Sequence, residues 1–251
     1  SAMLVHSAPA DGYESIGFCA LDNLGVVDAL QTKSRFACLA APFACLDGVN
    51  EKGVSCAVLT LDSKPTSRIT GKPIISTPMA IRLVLDRAAT TQQAVDLLLS
   101  YDMFATSGRD YHFYITDAQG DGRVVEFDCD SPERLPVVTP TRQVTNFFVM
   151  HEDKVAPFQR NGAYGHGRER YDAISAVLDE APMGQDAQVT AWKALRTASQ
   201  EPNPEDVTSN TQWSIVFDNA NLTADVALRR RWGDVHHACL LYKSDAADDR
   251  I

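Results

Sequence analysis

Six cysteines and six histidines are the side chains of this sequence that could act as nucleophiles, form disulfides or bind a metal ion. The cysteines contain no C-x-x-C pair, so the spacing predicts neither a disulfide framework nor a zinc site. His166 and the pair His236–His237 are also not spaced as a metal cluster, and we expect no metal and no cofactor. The cysteines are Cys19, Cys38, Cys45, Cys56, Cys129 and Cys239.

A second group of polar residues forms the stretch from Asp47 to Val54, which reads DGVNEKGV and lies before an apolar run. Asn50 stands in its middle, between Gly48 and Gly53. Asn and Gly tolerate positive φ values, so the pattern on its own predicts a turn in which Asn50 has only a conformational role.

The composition limits the kinds of function that need to be considered. The chain has 251 residues, of which 45% are hydrophobic and 22% charged, as in an ordinary soluble globular protein. Its net charge of −10 repels nucleic acid and anionic membranes, so we expect neither as a partner. Apolar runs are too short to span a bilayer, and the few cysteines are consistent with a reducing cytoplasm.

No repeat, linker or change in composition divides the sequence, so a single domain over residues 1–251 is predicted. Residues 1–3 read Ser-Ala-Met and are interpreted as a cloning remnant. Residues 243–251 are polar and contain three aspartates, which favours a disordered tail.

Apolar runs between turn-forming residues predict strands that pair mainly as antiparallel hairpins. One hairpin surrounds the turn at residues 118–122, and another surrounds the turn at residues 218–221. The predicted strands are Ser15–Leu21, Val54–Leu61, Tyr111–Thr116, Arg123–Phe127, Gln143–Val149, Trp213–Phe217 and Thr223–Leu228.

Apolar residues at helical spacing predict four helices between these strands. The first begins at Thr77, where Thr-Pro is typical of a helix start, and the second begins at Thr91. The other two cover Arg168–Leu178 and Asp186–Thr197. Strand hairpins separated by helix pairs indicate an α+β protein with layered sheets and helices.

The turn around Asn50 also resembles a motif of the choloylglycine hydrolase and penicillin V acylase group, in which G-x-N-E-K-G precedes an apolar strand. Members of this group are linear-amide hydrolases of the N-terminal-nucleophile superfamily. Further resemblances follow in the same order from about Gly12 to Trp232. They are the helix pair at residues 79–100, the hairpin Tyr111–Phe127 with D-x-x-G and V-E, the T-N pair Thr145–Asn146, Arg170 near a helix start, and the hairpin Thr211–Arg229.

The resemblance implies a four-layer αββα sandwich and an active site that contains Asn50, Asn146 and Arg170. Both asparagines would donate side-chain hydrogen bonds to the oxyanion formed when an amide carbonyl is attacked. Arg170 would stand near the nucleophile and favour a thiolate. Each residue also has a structural interpretation: Asn50 as a turn former, Asn146 as a strand-end cap and Arg170 as an ion-pairing residue on a helix surface.

The sequence departs from the resembled group at the nucleophile. In that group an N-terminal cysteine attacks with its own α-amine as base, and a G-R-N-x-D-like stretch follows it. No residue here matches that block, and a cysteine within the chain cannot supply a free α-amine. We therefore expect the sandwich to be N-terminally incomplete and this chain to have little or no activity.

Two functions follow from these expectations. The first is hydrolysis of the linear C–N bond of a small N-acyl amide, in a chain that lacks the nucleophile and forms homo-oligomers. The second is a non-catalytic module that keeps the sandwich and binds an acyl ligand or a partner protein. Unpaired sheet edges are the reason to expect oligomers.

Overall fold

A computed structural model describes residues 2–26, 32–106, 108–205 and 210–240 of the protein. The strands in these ranges lie in three sheets. Their bounds are β1 Ala2–Ser7, β2 Ser15–Ala20, β3 Cys45–Asn50, β4 Ser55–Leu61, β5 Ile74–Ser76, β6 Asp102–Phe104, β7 Asp110–Thr116, β8 Gly122–Phe127, β9 Pro136–Pro140, β10 Trp213–Asp218, β11 Thr223–Leu228 and β12 Val235–Cys239.

The main sheet has seven strands in the order β1-β2-β3-β4-β7-β8-β9, and every neighbouring pair in it is antiparallel. A second antiparallel sheet has the order β10-β11-β12, and β5 and β6 form a short parallel pair. This pattern confirms the predicted α+β class with mainly antiparallel sheets.

The helices follow the predicted ranges closely. The α-helices are α1 Thr32–Cys38, α2 Thr77–Arg87, α3 Thr91–Leu99, α4 Arg168–Asp179 and α5 Ala187–Ala198, and 3-10 helices cover Leu21–Leu24, Ala41–Phe43 and Val149–Lys154. Thr90 caps α3 by accepting a hydrogen bond from the Gln93 N–H, and Asp186 caps α5 in the same way through Gln188. No helix in the described ranges is long and apolar enough to cross a bilayer.

Helices α2 and α3 pack on one face of the main sheet, where they bury the largest apolar cluster. Ile81, Val84 and Leu85 of α2 contact Cys56 of β4 and Phe113 of β7 in this cluster, and each is at most 1% exposed. Side chains alternate between the two faces of a strand, so the neighbours of Cys56 and Phe113 point to the opposite face.

The three-stranded sheet lies against that opposite face. Phe18 of β2 packs on Trp213 of β10 with ring centroids 4.9 Å apart, and Ile16 of β2 packs in one cluster with Ala224 of β11. The α4–α5 pair is attached to this sheet through contacts between α5 and β10. Contacts therefore connect helices, main sheet, small sheet and helices in that order.

The structure confirms six of the seven predicted strands and all four predicted helices, with small differences at their ends. The prediction for Gln143–Val149 is wrong, because this segment is a loop followed by a 3-10 helix. Phe147 and Phe148 are fully buried, which explains why the segment is as apolar as a strand. It does not form the continuous backbone pairing of a strand. One isolated bridge joins Phe147 to Gly165.

The predictions for the two chain ends, a cloning remnant and a disordered tail, stay predictions. Ala2 and Met3, interpreted as part of a cloning remnant, belong to β1 and pair with Ala20 and Cys19 of β2. The predicted disordered tail at residues 243–251 lies outside the described residues, as does Ser1.

Substitution of Leu85 tests the core between α2 and the main sheet. Leu85→Ala removes a side chain that is 0% exposed, and we expect the free energy of unfolding to fall by about 2–5 kcal/mol. Met79→Ala on the same helix is the control, because Met79 is 43% exposed and should change stability much less. Urea denaturation measures both, and equal losses would contradict this description of the core.

Candidate functional site

The structure brings two of the three predicted site residues, Asn146 and Arg170, into direct contact. Arg170 Nη2 donates a hydrogen bond of 3.0 Å to Asn146 Oδ1. Asn146 Nδ2 in turn donates to the backbone oxygen of Thr60 at 3.0 Å and lies 3.3 Å from Thr60 Oγ1. The end of β4, the loop after β9 and the first turn of α4 therefore meet at Asn146.

The backbone around Asn146 is held by its pairing with the segment that precedes α4. The His166 N–H donates to the Asn146 carbonyl at 2.9 Å, and the Phe148 N–H donates to the Tyr164 carbonyl at 2.9 Å. Gly165 has a φ of +104°, and a Cβ at this position would lie 2.1 Å from the Asn146 carbonyl oxygen. Only glycine allows this close approach of the two segments.

A second contact fixes the same segment to the end of β4. His166 Nδ1 lies 2.8 Å from Asp62 Oδ2, and Asp62 follows β4 directly, two residues after Thr60. Strand β4 thus holds the Asn146 side chain through Thr60 and the backbone of Asn146 indirectly through Asp62 and His166. Such double support restricts the position of the Asn146 amide.

Arg170 has an electrostatic environment that suits an anion. Burial lowers the pKa of Arg170 below its usual range, an effect that nearby Glu169 partly opposes. Among the described residues no carboxylate lies within salt-bridge distance of Arg170, and its hydrogen-bond partner Asn146 is neutral. A partly desolvated guanidinium that has no carboxylate in salt-bridge contact attracts a thiolate or a carboxylate.

Asn50, the third predicted residue, is completely buried and its amide is committed to the backbone. Its Nδ2 donates to the carbonyls of Leu85 and Ala88 at 3.0 and 2.8 Å, and its Oδ1 accepts from the N–H groups of Lys52 and Val54 at 3.1 and 3.0 Å. Asn50 therefore ties the turn after β3 to the C-terminal end of α2 and has no free hydrogen to donate.

Asn50 and Asn146 also lie near opposite ends of β4. The Asn50 N–H bonds to the Val54 carbonyl beside the start of β4, whereas Asn146 contacts Thr60 near its end. Six residues of strand separate Val54 from Thr60, or roughly 20 Å at about 3.3 Å per residue. The structure thus does not bring the two predicted oxyanion donors together.

A cleft of about 570 Å³ lies along β4 between the main sheet and the α4, α5 and β10 elements. Ser55, Ala57 and Leu59 line it from β4, and Val144 lines it two residues before Asn146. Apolar residues predominate on the other walls, which are formed by Ile174, Leu178, Ala191, Ala194, Leu195, Ile215 and Phe217. Its volume and lining are those of a small-molecule pocket.

Polar groups occupy the far end and the floor of this cleft. Ser55 and Thr116 line the end that is remote from Thr60, and Asn219 Nδ2 donates to Ser55 Oγ at 3.2 Å and to Thr116 Oγ1 at 2.9 Å. On the floor, burial raises the pKa of Asp47 to about 7, and its Oδ1 has no hydrogen-bond partner.

A larger space of about 1280 Å³ lies between β1–β2 and the three-stranded sheet. Leu4, Phe18, Trp213 and Leu228 are among its lining residues, and Asn146 and Arg170 do not line it. Neither space is lined by Asn50, Asn146 or Arg170 themselves. The cleft along β4 is the better candidate for a substrate because Leu59 and Val144, which line it, lie next to Thr60 and two residues before Asn146 in the chain.

None of the six cysteines, all of which are described, forms a hydrogen bond with Thr60, Asn146 or Arg170. Cys56 packs in the helix-facing core, and burial raises the pKa values of Cys45 and Cys56 to about 12 and that of Cys129 to about 11. A thiol with so high a pKa is a poor nucleophile at neutral pH. The expectation that no internal cysteine acts as the nucleophile stays a prediction.

Sequence reasoning missed Thr60, Asp62 and His166 as neighbours of Asn146. The available signal was the polar end of the apolar run VSCAVLTLD, because polar residues at a strand end often face a site rather than a core. The contact between Asp62 and His166 spans 104 residues and has no signal in a single sequence.

Replacement of Asn50 tests its structural role. Asn50→Ala leaves two buried N–H groups and two carbonyls without their partner, so we expect the free energy of unfolding to fall by at least about 2 kcal/mol. Asn161→Ala, at an exposed position, should change it by less than about 0.5 kcal/mol. Chemical denaturation would contradict the role if Asn50→Ala were as stable as the unchanged chain.

The pH dependence of stability tests the environment of Asp47. Because its pKa rises from 3.8 to about 7 on folding, the unfolded state loses the proton first and wild-type stability falls as the pH rises through this interval. Asp47→Asn cannot ionise, so its stability relative to wild type should increase from pH 4 to pH 7. Asp153→Asn, an exposed change, should show no such trend, and parallel curves for Asp47→Asn would refute the prediction.

Comparisons with known proteins agree with this arrangement of elements. A family model described as acyl-coenzyme A:6-aminopenicillanic acid acyl-transferase matches residues 21–231. Penicillin V acylase from Agrobacterium tumefaciens has a similar structure, with a TM-score of 0.64 and 18% identity over 93% of this chain and 71% of that chain.

Two variants of conjugated bile acid hydrolase from Clostridium perfringens are also similar, with TM-scores of 0.65 and 0.64 and 14% identity. These alignments cover 92% of this chain and 78% of each hydrolase chain. No curated protein sequence matches the chain. At identities this low, the solved structures establish the fold.

Proposed function

The chain belongs to the acyl-coenzyme A:6-aminopenicillanic acid acyl-transferase family, and on that premise we propose that it provides the acyl-binding cleft and the oxyanion site of a linear amide C–N hydrolase. The substrate is a small N-acyl amide whose acyl group lies in the cleft along β4. The scissile carbonyl lies at the Thr60 end of that cleft, beside Asn146 and Arg170.

The observation that carries this proposal is the contact of Asn146 with both Thr60 and Arg170, close in the chain to two residues that line the apolar cleft. Leu59 and Val144 line the cleft. Leu59 directly precedes Thr60 in the chain, and Val144 lies two residues before Asn146. From Leu59 to Ser55 the cleft follows β4 for about 13 Å, which accommodates an extended acyl group. Apolar walls and a few polar groups at one end suit such a ligand.

The groups at this end fit the steps of amide hydrolysis. A thiolate attacks the carbonyl carbon, the carbonyl oxygen becomes negative, and the C–N bond breaks when the nitrogen takes up a proton. Asn146 Nδ2 can release its longer contact to the rotatable Thr60 hydroxyl and donate that hydrogen to the oxyanion. Arg170 stabilises the thiolate by its charge, and water then hydrolyses the acyl enzyme. Asn50 supports the fold in this scheme.

The proposal requires a cysteine whose own α-amine acts as the base. Each cysteine of this chain has a residue before it, so none has a free α-amine. We therefore expect little or no turnover from residues 1–251 alone. Turnover is expected only when an N-terminal cysteine is supplied close to Thr60, Asn146 and Arg170.

The second candidate is a non-catalytic module that binds an acyl ligand. The absence of hydrogen bonds between the six cysteines and the Asn146 site favours this candidate. Both candidates share the cleft and differ in whether a nucleophile reaches Asn146, so binding and turnover have to be measured separately.

Ligand binding tests the cleft that both candidates require. We expect penicillin V or glycocholate to bind the chain, with Leu59→Arg weakening the affinity at least tenfold because it places a charge in the apolar lining. Leu135→Arg is the matched control, since Leu135 is 54% exposed and does not line the cleft. Titration calorimetry measures both affinities, and equal affinities for the two variants would refute the assignment of the cleft.

Turnover distinguishes the two candidates in the same samples. Release of the amine should be absent for the chain alone and present for a polypeptide that supplies the N-terminal cysteine. In that polypeptide Asn146→Ala should lower kcat by roughly 100-fold, and Asn161→Ala should leave it unchanged. Binding without turnover in every form would support the module, and ordinary turnover by the chain alone would overturn the argument about the nucleophile.

The cellular setting is part of the same proposal. All six cysteines are free in the structure, which supports a reducing cytoplasm as the compartment. Strands β1 and β12 each end a sheet, and such edges support homo-oligomer formation.

A further inference from the structure

Three potential metal ligands from two separate segments meet beyond the end of β8. Asp128 and Cys129 follow β8 directly, and His151 belongs to the 3-10 helix Val149–Lys154. One ligand atom from each of the three residues lies within 4.8 Å of the other two. Of these atoms, His151 Nε2 lies 3.0 Å from Asp128 Oδ1.

The His151 ring is held in place before any ion binds. It is 8% exposed, and it packs edge-on against Phe148 and Tyr164 with centroid distances of 6.0 and 5.0 Å. Glu126 of β8 accepts hydrogen bonds from the N–H groups of Val149 and Met150 at 2.8 and 2.9 Å. This ties the helix that carries His151 to the strand that precedes Asp128, so the two segments keep a fixed distance.

The loop on the other side is also closed. The Asp128 N–H donates to the Leu135 carbonyl at 2.9 Å, and the Asp130 N–H donates to Asp128 Oδ1 at 2.9 Å. Asp130 itself is engaged by Lys154 at 2.7 Å and by the Tyr164 hydroxyl at 3.2 Å, so we do not count it as a ligand. This leaves three protein ligands and a fourth position for water.

We propose that Asp128, Cys129 and His151 bind a transition-metal ion of the Zn²⁺ type. One nitrogen, one sulfur and one oxygen ligand match the preference of Zn²⁺ and Co²⁺, whereas Ca²⁺ and Mg²⁺ prefer oxygen ligands alone. The ligand atoms of a tetrahedral zinc site lie about 3–4 Å apart. The ligand atoms here, within 4.8 Å of one another, have to approach by at most about 1 Å to reach this spacing. The Cys129 thiol proton is released to solvent when the ion binds.

This site does not depend on the proposed amide hydrolysis, because none of its ligands belongs to the Thr60–Asn146–Arg170 group. Sequence spacing could not indicate it, since Cys129 and His151 are 22 residues apart and form no recognised metal motif. The fold supplies the proximity by placing the 3-10 helix against the end of β8.

Co²⁺ titration of the full, chelator-treated chain tests the proposal, because Co²⁺ reports its ligands by absorption. We expect a near-ultraviolet charge-transfer band from thiolate to cobalt and the intense visible bands of four-coordinate cobalt. Zn²⁺ should remove both by displacing the cobalt. Cys129→Ser should eliminate the charge-transfer band, and His151→Phe, which keeps a packed ring, should weaken Co²⁺ binding at least tenfold.

Cys38→Ser is the matched control, since Cys38 is a partly buried thiol on α1 outside the cluster and its loss should leave the spectrum unchanged. Circular dichroism verifies that each variant is folded. The proposal is overturned by the absence of a charge-transfer band, by a band that survives Cys129→Ser, or by equal Co²⁺ affinity in His151→Phe.

Discussion

Alternation of side chains along β4 is the constraint on which both the core and the candidate site depend. The Cys56 side chain packs in the core formed with α2 and α3, although the residue also borders the cleft that Ser55, Ala57 and Leu59 line. A shift of one residue in the pairing of β4 with β7 would turn Cys56 into the cleft and Leu59 into the helix core. The tight packing of α2 on β4 therefore fixes the lining of the cleft as well as the stability of the sheet.

The two ends of β4 have different polar tasks. At the start, Asn50 uses all of its amide hydrogen bonds to close the turn that leads into the strand, and it ties this turn to the end of α2. At the other end, Thr60 and Asp62 hold the segment that carries Asn146. The contacts of Asn50 fix the start of β4. The contacts of Thr60 and Asp62 then determine where the Asn146 amide lies beside Arg170.

Local patterns predicted most of the elements, because hairpins and amphipathic helices are encoded within short segments. The β7–β8 hairpin and the α2 and α3 helices show this, as their turns, caps and apolar spacing all agree. Gln143–Val149 was mistaken for a strand because buried loops and strands share apolar composition. Strand β1 was missed because its pairing with β2 is visible only in the fold.

The candidate site was predictable only in part, for a related reason. Asn146 and Arg170 were identified through a resemblance, and the structure places them in contact. The resemblance also suggested Asn50. The structure shows its amide bonded to backbone groups of the turn after β3 and of the end of α2, and its catalytic role stays a prediction. Thr60 and His166 join the site through contacts across 86 and 104 residues, which a single sequence does not reveal.

Arg170 connects the electrostatics of the site with its chemistry. Desolvation disfavours its charge, and its hydrogen bond to the neutral Asn146 supplies only part of the interactions that the charge loses on leaving water. An anion placed next to Arg170 would recover more of this cost than any described neighbour does. In the proposed hydrolysis, a thiolate and then the oxyanion formed by its attack would each supply such a charge. Arg170, held in place by the neutral Asn146 amide, would stabilise both without moving.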